Sequence, residues 1–165
     1  MKVSGTVMKF GDNIDTDVIL PGRYLVLVDS MELAKHAMEG LDPDFPQKAK
    51  KGVIVVGGKN FGCGSSREQA PIALKYAGVK CVLADSFARI FFRNAINIGL
   101  PVIEHDGISA AVENGDKVTV DFETGRIQDL TKAESFQAAK LPLFIMKILE
   151  DGGLIENLRR RLNQK

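Results

Sequence analysis

A single α/β domain is predicted by three features of this 165-residue sequence. Two uninterrupted apolar runs, Val53-Ile54-Val55-Val56 and Cys81-Val82-Leu83-Ala84, have the length and composition of strands buried on both faces. Helical patterns separate them from each other and from a third short run, Val102-Ile103. That order pairs strands in parallel through helical crossovers. No internal repeat or low-complexity linker divides the chain, and its length suits one hydrophobic core.

The elements follow in order. Val3 to Phe10 reads as a first strand and leads into Gly11-Asp12-Asn13-Ile14-Asp15-Thr16-Asp17, a polar turn-rich stretch with three carboxylates. Pro21-Gly22 marks a turn before the apolar run Tyr24-Leu25-Val26-Leu27-Val28. Asp29 and Glu32 have capping-box spacing, which predicts a helix beginning there and stopping at Gly40. Asp42 to Pro46 is read as loop. Past the Val53 run, Gly57 to Gly64 is a glycine-rich loop, and a helix from Arg67 to about Ala77 stops at Gly78. Ser86 is placed to cap a helix whose Phe87, Ile90, Phe91, Ala95 and Ile98 share one face. Gly99-Leu100-Pro101 ends it. Lys117 to Phe122 alternates like a half-exposed strand, and Gly125 lies near a turn. Leu143 to Glu150 and Leu154 to Leu162 read as helices hinged at Gly152-Gly153, making residues 142–162 a helical C-terminal segment.

The charge balance excludes one large class of partner. With 22 basic and 21 acidic residues the formal net charge is +1, so there is no excess for a nucleic-acid backbone. The one basic cluster, Arg159-Arg160-Arg161, ends the predicted last helix, where cations suit the dipole. No window approaches the ~18 apolar residues of a membrane span. Met1 to Gly5 runs into a strand-like stretch without the apolar core of a signal peptide. Two cysteines, Cys63 and Cys81, are too few for a disulfide framework. The expectation is a cytoplasmic protein with neither nucleic-acid nor membrane partner.

Function concentrates in Gly57-Gly58-Lys59-Asn60-Phe61-Gly62-Cys63-Gly64-Ser65-Ser66-Arg67-Glu68. The segment joins a predicted buried strand to a helix, where open α/β sheets place their ligands. Glycines admit close backbone approach, and the first amides of a helix attract anions. An arginine in a first helical turn opposes the dipole, so Arg67 is better explained by a forked grip on a carboxylate or phosphate. Neither common nucleotide loop is present: no Walker string occurs, and Gly62-Cys63-Gly64 is followed by Ser65-Ser66-Arg67 without the third glycine. Ser65 and Glu68 also have capping-box spacing, which leaves a helix cap and a reactive hydroxyl both open. Cys63 reads as a small buried filler or a reactive thiol.

Asn60-Phe61-Gly62-Cys63-Gly64-Ser65-Ser66-Arg67-Glu68 resembles the signature of the swivelling domain of the aconitase superfamily. Gly11 to Asp17 and Ser86-Phe87-Ala88-Arg89-Ile90-Phe91 resemble two further blocks of that family, in the same order, so the resemblance runs from about residue 5 to 105. It implies that residues 1–165 are a single swivelling β/β/α domain of the aconitase C-terminal-domain type, of the length of a free-standing small subunit. It further implies a hydro-lyase that moves a hydroxyl between adjacent carbons of a hydroxy acid by dehydration and rehydration. Ser65 would be the base that removes the proton alpha to a carboxylate. Ser66 and its amide would hold substrate oxygens, Arg67 would grip a carboxylate, and Asp17 would join the substrate site. A serine base needs positive potential, which Arg67 and the helix N-terminus would provide. Gln69 departs from the family, which commonly has histidine there.

The same resemblance implies a four-iron four-sulfur cluster as Lewis acid. Such clusters usually take several cysteines, and this chain has two, so the cluster is expected on a partner large subunit and no metal in this chain. Cys63 becomes a wall of the site, and His36 and His105 take structural roles. In the resembled family, substrate choice lies in the loop here formed by Gly22 to Asp29. Members that act on tricarboxylates resemble Tyr-Leu-Arg where this chain has Tyr24-Leu25-Val26. Valine leaves a carboxylate unpaired but accepts an isopropyl group, whose burial contributes about 1.5–3 kcal/mol. The expected substrate is therefore isopropylmalate, a dicarboxylic hydroxy acid of leucine biosynthesis, before homoaconitate. Leu25, Val26 and Leu27 can also be read as strand or core residues, and Arg23 as a restored carboxylate grip. Citramalate stays open, because an apolar pocket rejects a smaller alkyl group only weakly. A non-catalytic anion-binding module on the same loop is the reading from another class.

Overall fold

The computed structural model describes residues 1–163 and is built around a central strand, Lys2–Lys9 (β1). On one side β1 pairs in parallel with Val53–Gly57 (β2), followed outward in parallel by Val79–Ala84 (β3) and Val102–Glu104 (β4). On the other side it pairs antiparallel with Lys117–Asp121 (β5), beyond which lie Arg126–Asp129 (β6) and Glu134–Gln137 (β7). The sheet order is β4-β3-β2-β1-β5-β6-β7. It is parallel where helices link consecutive strands, and short turns join β5 to β6 and β6 to β7 as antiparallel neighbours; β5 itself returns from far along the chain to pair antiparallel with β1.

The helices in chain order are Thr16–Ile19 (α1), Ser30–Ala34 (α2), Phe45–Ala49 (α3), Gln69–Ala77 (α4), Arg89–Asn97 (α5), Ile108–Ala111 (α6), Leu143–Glu150 (α7) and Leu154–Asn163 (α8). Two apolar clusters lie on opposite faces of the sheet. Val53 and Val55 of β2 join the cluster under the larger helices, whereas Ile54 and Val56 join the cluster with Val7, Ile103, Ile108, Val120 and Ile127. The second cluster runs from the β4 edge to β6, as in a sheet curled into a half-barrel. Burial on both faces is why β2 reads as apolar without alternation. Among the described residues no helix is long and apolar enough to cross a membrane.

The three predicted parallel strands, the half-exposed β5 and both C-terminal helices are present. Asp29 caps α2, accepting from the amides of Met31 and Glu32 at 2.8 and 3.0 Å. That helix ends at Ala34, short of Gly40, because the amide of buried Met38 donates to the carbonyl of Ile19 at 2.8 Å and draws the chain inward. The predicted loop at Asp42–Pro46 contains the start of α3, where Pro46 suits a first turn and Phe45 is buried. The helix predicted from Arg67 starts at Gln69, and Ser65 and Glu68 form no capping box. Ser86 does not cap α5; its hydroxyl accepts from the amide of Asn60 at 2.8 Å. The buried stripe of α5 is Phe91, Ala95 and Ile96, with Ile90 facing outward. The basic run at the chain's end is partly engaged, since Arg159 pairs with Glu156 and Arg160 with Asp151.

Candidate active site

Because β1, β2 and β3 are parallel, the segments that follow them converge at the carboxyl ends of the strands, where α/β folds bind ligands. Backbone bonds lock the three segments together. Gly58 donates to the carbonyl of Gly11 at 3.0 Å, and Asp85 to that of Gly58 at 3.1 Å. The Asp12 carboxylate accepts from the amide of Lys59 at 2.7 Å. Gly62 donates to Ile14 at 2.7 Å, Phe61 to Ser86 at 3.0 Å, and Ala88 to Phe61 at 2.9 Å.

Phe61 anchors the glycine loop from below. It is fully buried, and its ring meets those of Phe87 and Phe91 edge-on at 5.9 and 5.3 Å. Gly62 follows at φ +81, and a β-carbon there would collide with the Phe91 side chain. Gly64, at φ +95, turns the chain outward. The loop therefore passes from an aromatic floor to an exposed tip within four residues, and Ser65 and Ser66 stand on that tip. Among the described residues the Ser65 hydroxyl has no hydrogen-bond partner.

Arg67 is held from below. Its Nη1 donates to Asp17 Oδ1 at 2.8 Å and to the carbonyl of Leu20 at 3.3 Å. Asp17 Oδ1 also accepts from the amide of Gly22 at 2.8 Å. The Arg67 guanidinium first, and the Gly22 amide second, hold the Asp17 carboxyl below the usual carboxylate range. Asp17 thus aims the guanidinium and ties it to the loop at Gly22–Asp29. A β-carbon on Gly22 would lie 3.5 Å from both terminal nitrogens of Arg67.

That loop is neither strand nor core throughout. It opens with a single 3-10 turn at Gly22–Tyr24. Tyr24 is stacked on His36 at 3.6 Å, and Leu25 and Leu27 are half-buried against the helical cluster. Val26 points to solvent, 82% exposed. Arg23 is engaged elsewhere: its Nη2 donates to Glu39 at 2.7 Å, and its guanidinium lies 4.7 Å from the Tyr24 ring centroid. His36 bonds Glu39 at 2.8 Å through Nδ1, and His105 packs edge-on to Phe136 at 5.9 Å.

The structure thus joins Ser65, Ser66, Arg67 and Asp17 on one rim, with Tyr24 and Leu25 in the loop bound to it. Sequence reasoning missed the role of Thr16 and gave Ser86 the wrong one; both hold the loop through hydrogen bonds. The signal that could have found Thr16 is register, since Asp15, Thr16 and Asp17 meet Cys63, Ser65 and Arg67 in turn.

The cysteines do not form a ligand set. Cys81 is buried within the sheet, where burial pushes its thiol up, and Cys63 is half-buried in the loop. Among the described residues no three His, Cys, Asp or Glu side chains group to hold a metal ion. Clefts of about 190, 340 and 440 Å³ lie elsewhere on the surface and are not lined by Ser65, Ser66 or Arg67. The rim is open to water.

Residues 28–106 match the model of the Aconitase C-terminal domain. The chain is 59% identical over 160 residues to the isopropylmalate/citramalate isomerase small subunit of Methanocaldococcus jannaschii, covering 97% of this chain and 95% of that one. It is 55% identical over 161 residues to the 3-isopropylmalate dehydratase small subunit of Clostridium beijerinckii, covering 98% and 100%. The crystal structure of a 3-isopropylmalate dehydratase from Methanocaldococcus jannaschii matches it with a TM-score of 0.92 at 47% identity, over 99% of this chain and 98% of that one.

Proposed function

This chain belongs to the family of 3-isopropylmalate dehydratase small subunits, and we propose on that premise that it supplies the base and the carboxylate grip for interconverting 2-isopropylmalate and 3-isopropylmalate. In that reaction a hydroxyl and a proton on the neighbouring carbon leave as water, then return with their positions exchanged. The observation that carries the reading is the exposed Ser65 beside an Arg67 whose guanidinium is already aimed by Asp17. Arg67 takes a substrate carboxylate in its fork. Ser65 removes the proton from the carbon next to that carboxylate, and later returns one on rehydration. A serine oxygen does this only where positive potential stabilises its alkoxide, and Arg67 is the cation at hand. The hydroxyl and amide of Ser66 hold the substrate's oxygens.

The partner in this reading is a large subunit that closes over the open rim. It carries a four-iron four-sulfur cluster, which when bound acts as Lewis acid on the departing hydroxyl. The scattered cysteines of this chain support that division. The apolar Val26 and the engagement of Arg23 by Glu39 leave the Gly22–Asp29 loop without a free cation for a third carboxylate, which favours isopropylmalate over homoaconitate. Citramalate is a secondary substrate: one relative is named for both acids, and an apolar pocket discriminates weakly against a smaller alkyl group. The proposed setting is leucine biosynthesis in the cytoplasm, consistent with two free thiols.

Reconstitution tests the proposal. The purified chain alone is expected to be folded, colourless and without isopropylmalate turnover, and mixing it anaerobically with the cluster-loaded large subunit is expected to generate activity. Turnover by this chain alone, without iron, contradicts the division of labour.

A further inference from the structure

We propose that Thr16 is a positioning residue for catalysis, setting the place of Ser65 through its backbone. The inference rests on the reading of Ser65 as the base. Thr16 is 2% exposed, one of four buried polar or charged residues among those described. Its Oγ1 donates to the carbonyl oxygen of Ser65 at 3.0 Å, and its amide donates to the carbonyl of Cys63 at 2.8 Å. The two bonds bracket Gly64, whose φ of +95 makes the turn that lifts Ser65 off the aromatic floor. A β-carbon on Gly64 would lie 3.4 Å from Thr16 Oγ1, so the hydroxyl sits against the inside of the turn.

Among the described residues the Ser65 carbonyl has one other donor, the amide of Arg67 at 2.8 Å, which is local and moves with the loop. Thr16 is the donor fixed to a separate element. It opens α1, which is held by the Asp15 cap on the amide of Val18 at 2.8 Å and packs against α4. Its neighbour Asp17 fixes the Arg67 guanidinium. Base and carboxylate grip are thereby referenced to one short segment, with Thr16 setting the first and Asp17 the second. Reacting groups need their separation kept within a fraction of an ångström, and a 1 Å misplacement can cost about 100-fold in rate.

The test uses the complex reconstituted with the large subunit and compares Thr16→Val, Thr16→Ser, Thr16→Ala and Ser65→Ala with the wild type. Thr16→Val keeps the shape and removes the donor. It is expected to lower kcat by roughly 10- to 100-fold with KM within about twofold, because Arg67 and Asp17 are untouched. Thr16→Ser restores the donor and is expected to keep kcat within about threefold. The pair Thr16→Ser and Thr16→Ala isolates the hydroxyl with the methyl absent from both, and decides the matter if the valine variant does not fold. A purely structural Thr16 would lower thermal stability in step with lost methyl and hydroxyl while folded enzyme kept its kcat, and that result overturns the proposal. Ser65→Ala separates the two readings: if it stays active, the assignment of the base fails; if it is dead while Thr16→Val and Thr16→Ala retain wild-type kcat, only the role of Thr16 fails.

Discussion

Replacing Gly62 by alanine strikes the loop at its tightest point. The residue sits at φ +81, a conformation that disfavours an L side chain by about 1–2 kcal/mol. The added methyl also overlaps Phe91, which is buried and stacked edge-on against Phe61 at 5.3 Å. Forcing one more carbon into a packed core typically destabilises by about 1–3 kcal/mol. The sum is about 2–5 kcal/mol, a large part of the 5–15 kcal/mol of stability usual for a domain. Because the amide of Gly62 also donates to Ile14 at 2.7 Å, relief by backbone movement would shear the loop from the segment after β1. Urea unfolding followed by far-ultraviolet circular dichroism measures the loss as a lower midpoint at unchanged slope. Turnover of the reconstituted complex should fall at temperatures where the variant is still folded, since Ser65 lies three residues further on. A stability loss under about 0.5 kcal/mol, with turnover intact, would refute the picture of a loop fixed by its aromatic floor.

Two further substitutions probe the neighbouring loop and the ion pair. Val26→Arg should shift the ratio of kcat/KM for homoaconitate over isopropylmalate upward by about tenfold or more, as expected from a new charge-assisted hydrogen bond; an equal fall for both acids makes Val26 a structural residue only. Asp17 is held below its ordinary pKa chiefly by Arg67, so its contribution to stability is in place above about pH 4 and is lost as pH falls through the lower folded value. Asp17→Asn should therefore flatten the acid limb of the stability profile in that window, and an unchanged limb contradicts a working Asp17–Arg67 pair.

Much of the parallel half of the sheet was legible because burial on both faces writes uninterrupted apolar runs such as Val53 to Val56. The antiparallel edge was hard to read for the opposite reason. Arg126–Asp129 and Glu134–Gln137 are four residues each and largely polar, so their pairing rests on backbone bonds and turns that leave little periodic signal. The serines at 65 and 86 show where local rules are overridden. Both have the spacing of helix caps, yet the carbonyl of one is held by Thr16 from 49 positions away, and the hydroxyl of the other receives the amide of Asn60 from 26 positions away. Capping-box spacing is a local regularity, and a loop tied across the carboxyl ends of the strands obeys longer-range bonds. Asp17 was placed in the site by resemblance, whereas its physical task, orienting Arg67 while binding the Gly22 amide, arises only when the fold brings residues 17, 22 and 67 together.

The central claim is that Ser65 is the base, and turnover of isopropylmalate by the complex carrying Ser65→Ala tests it most directly. The residue is exposed and caps no helix, so folding and assembly with the large subunit should match wild type by circular dichroism and co-elution. The account predicts a kcat lower by about 100-fold or more, the usual contribution of a general base, with substrate binding through Arg67 retained. A variant that assembles normally and keeps more than about a tenth of the wild-type rate would contradict it.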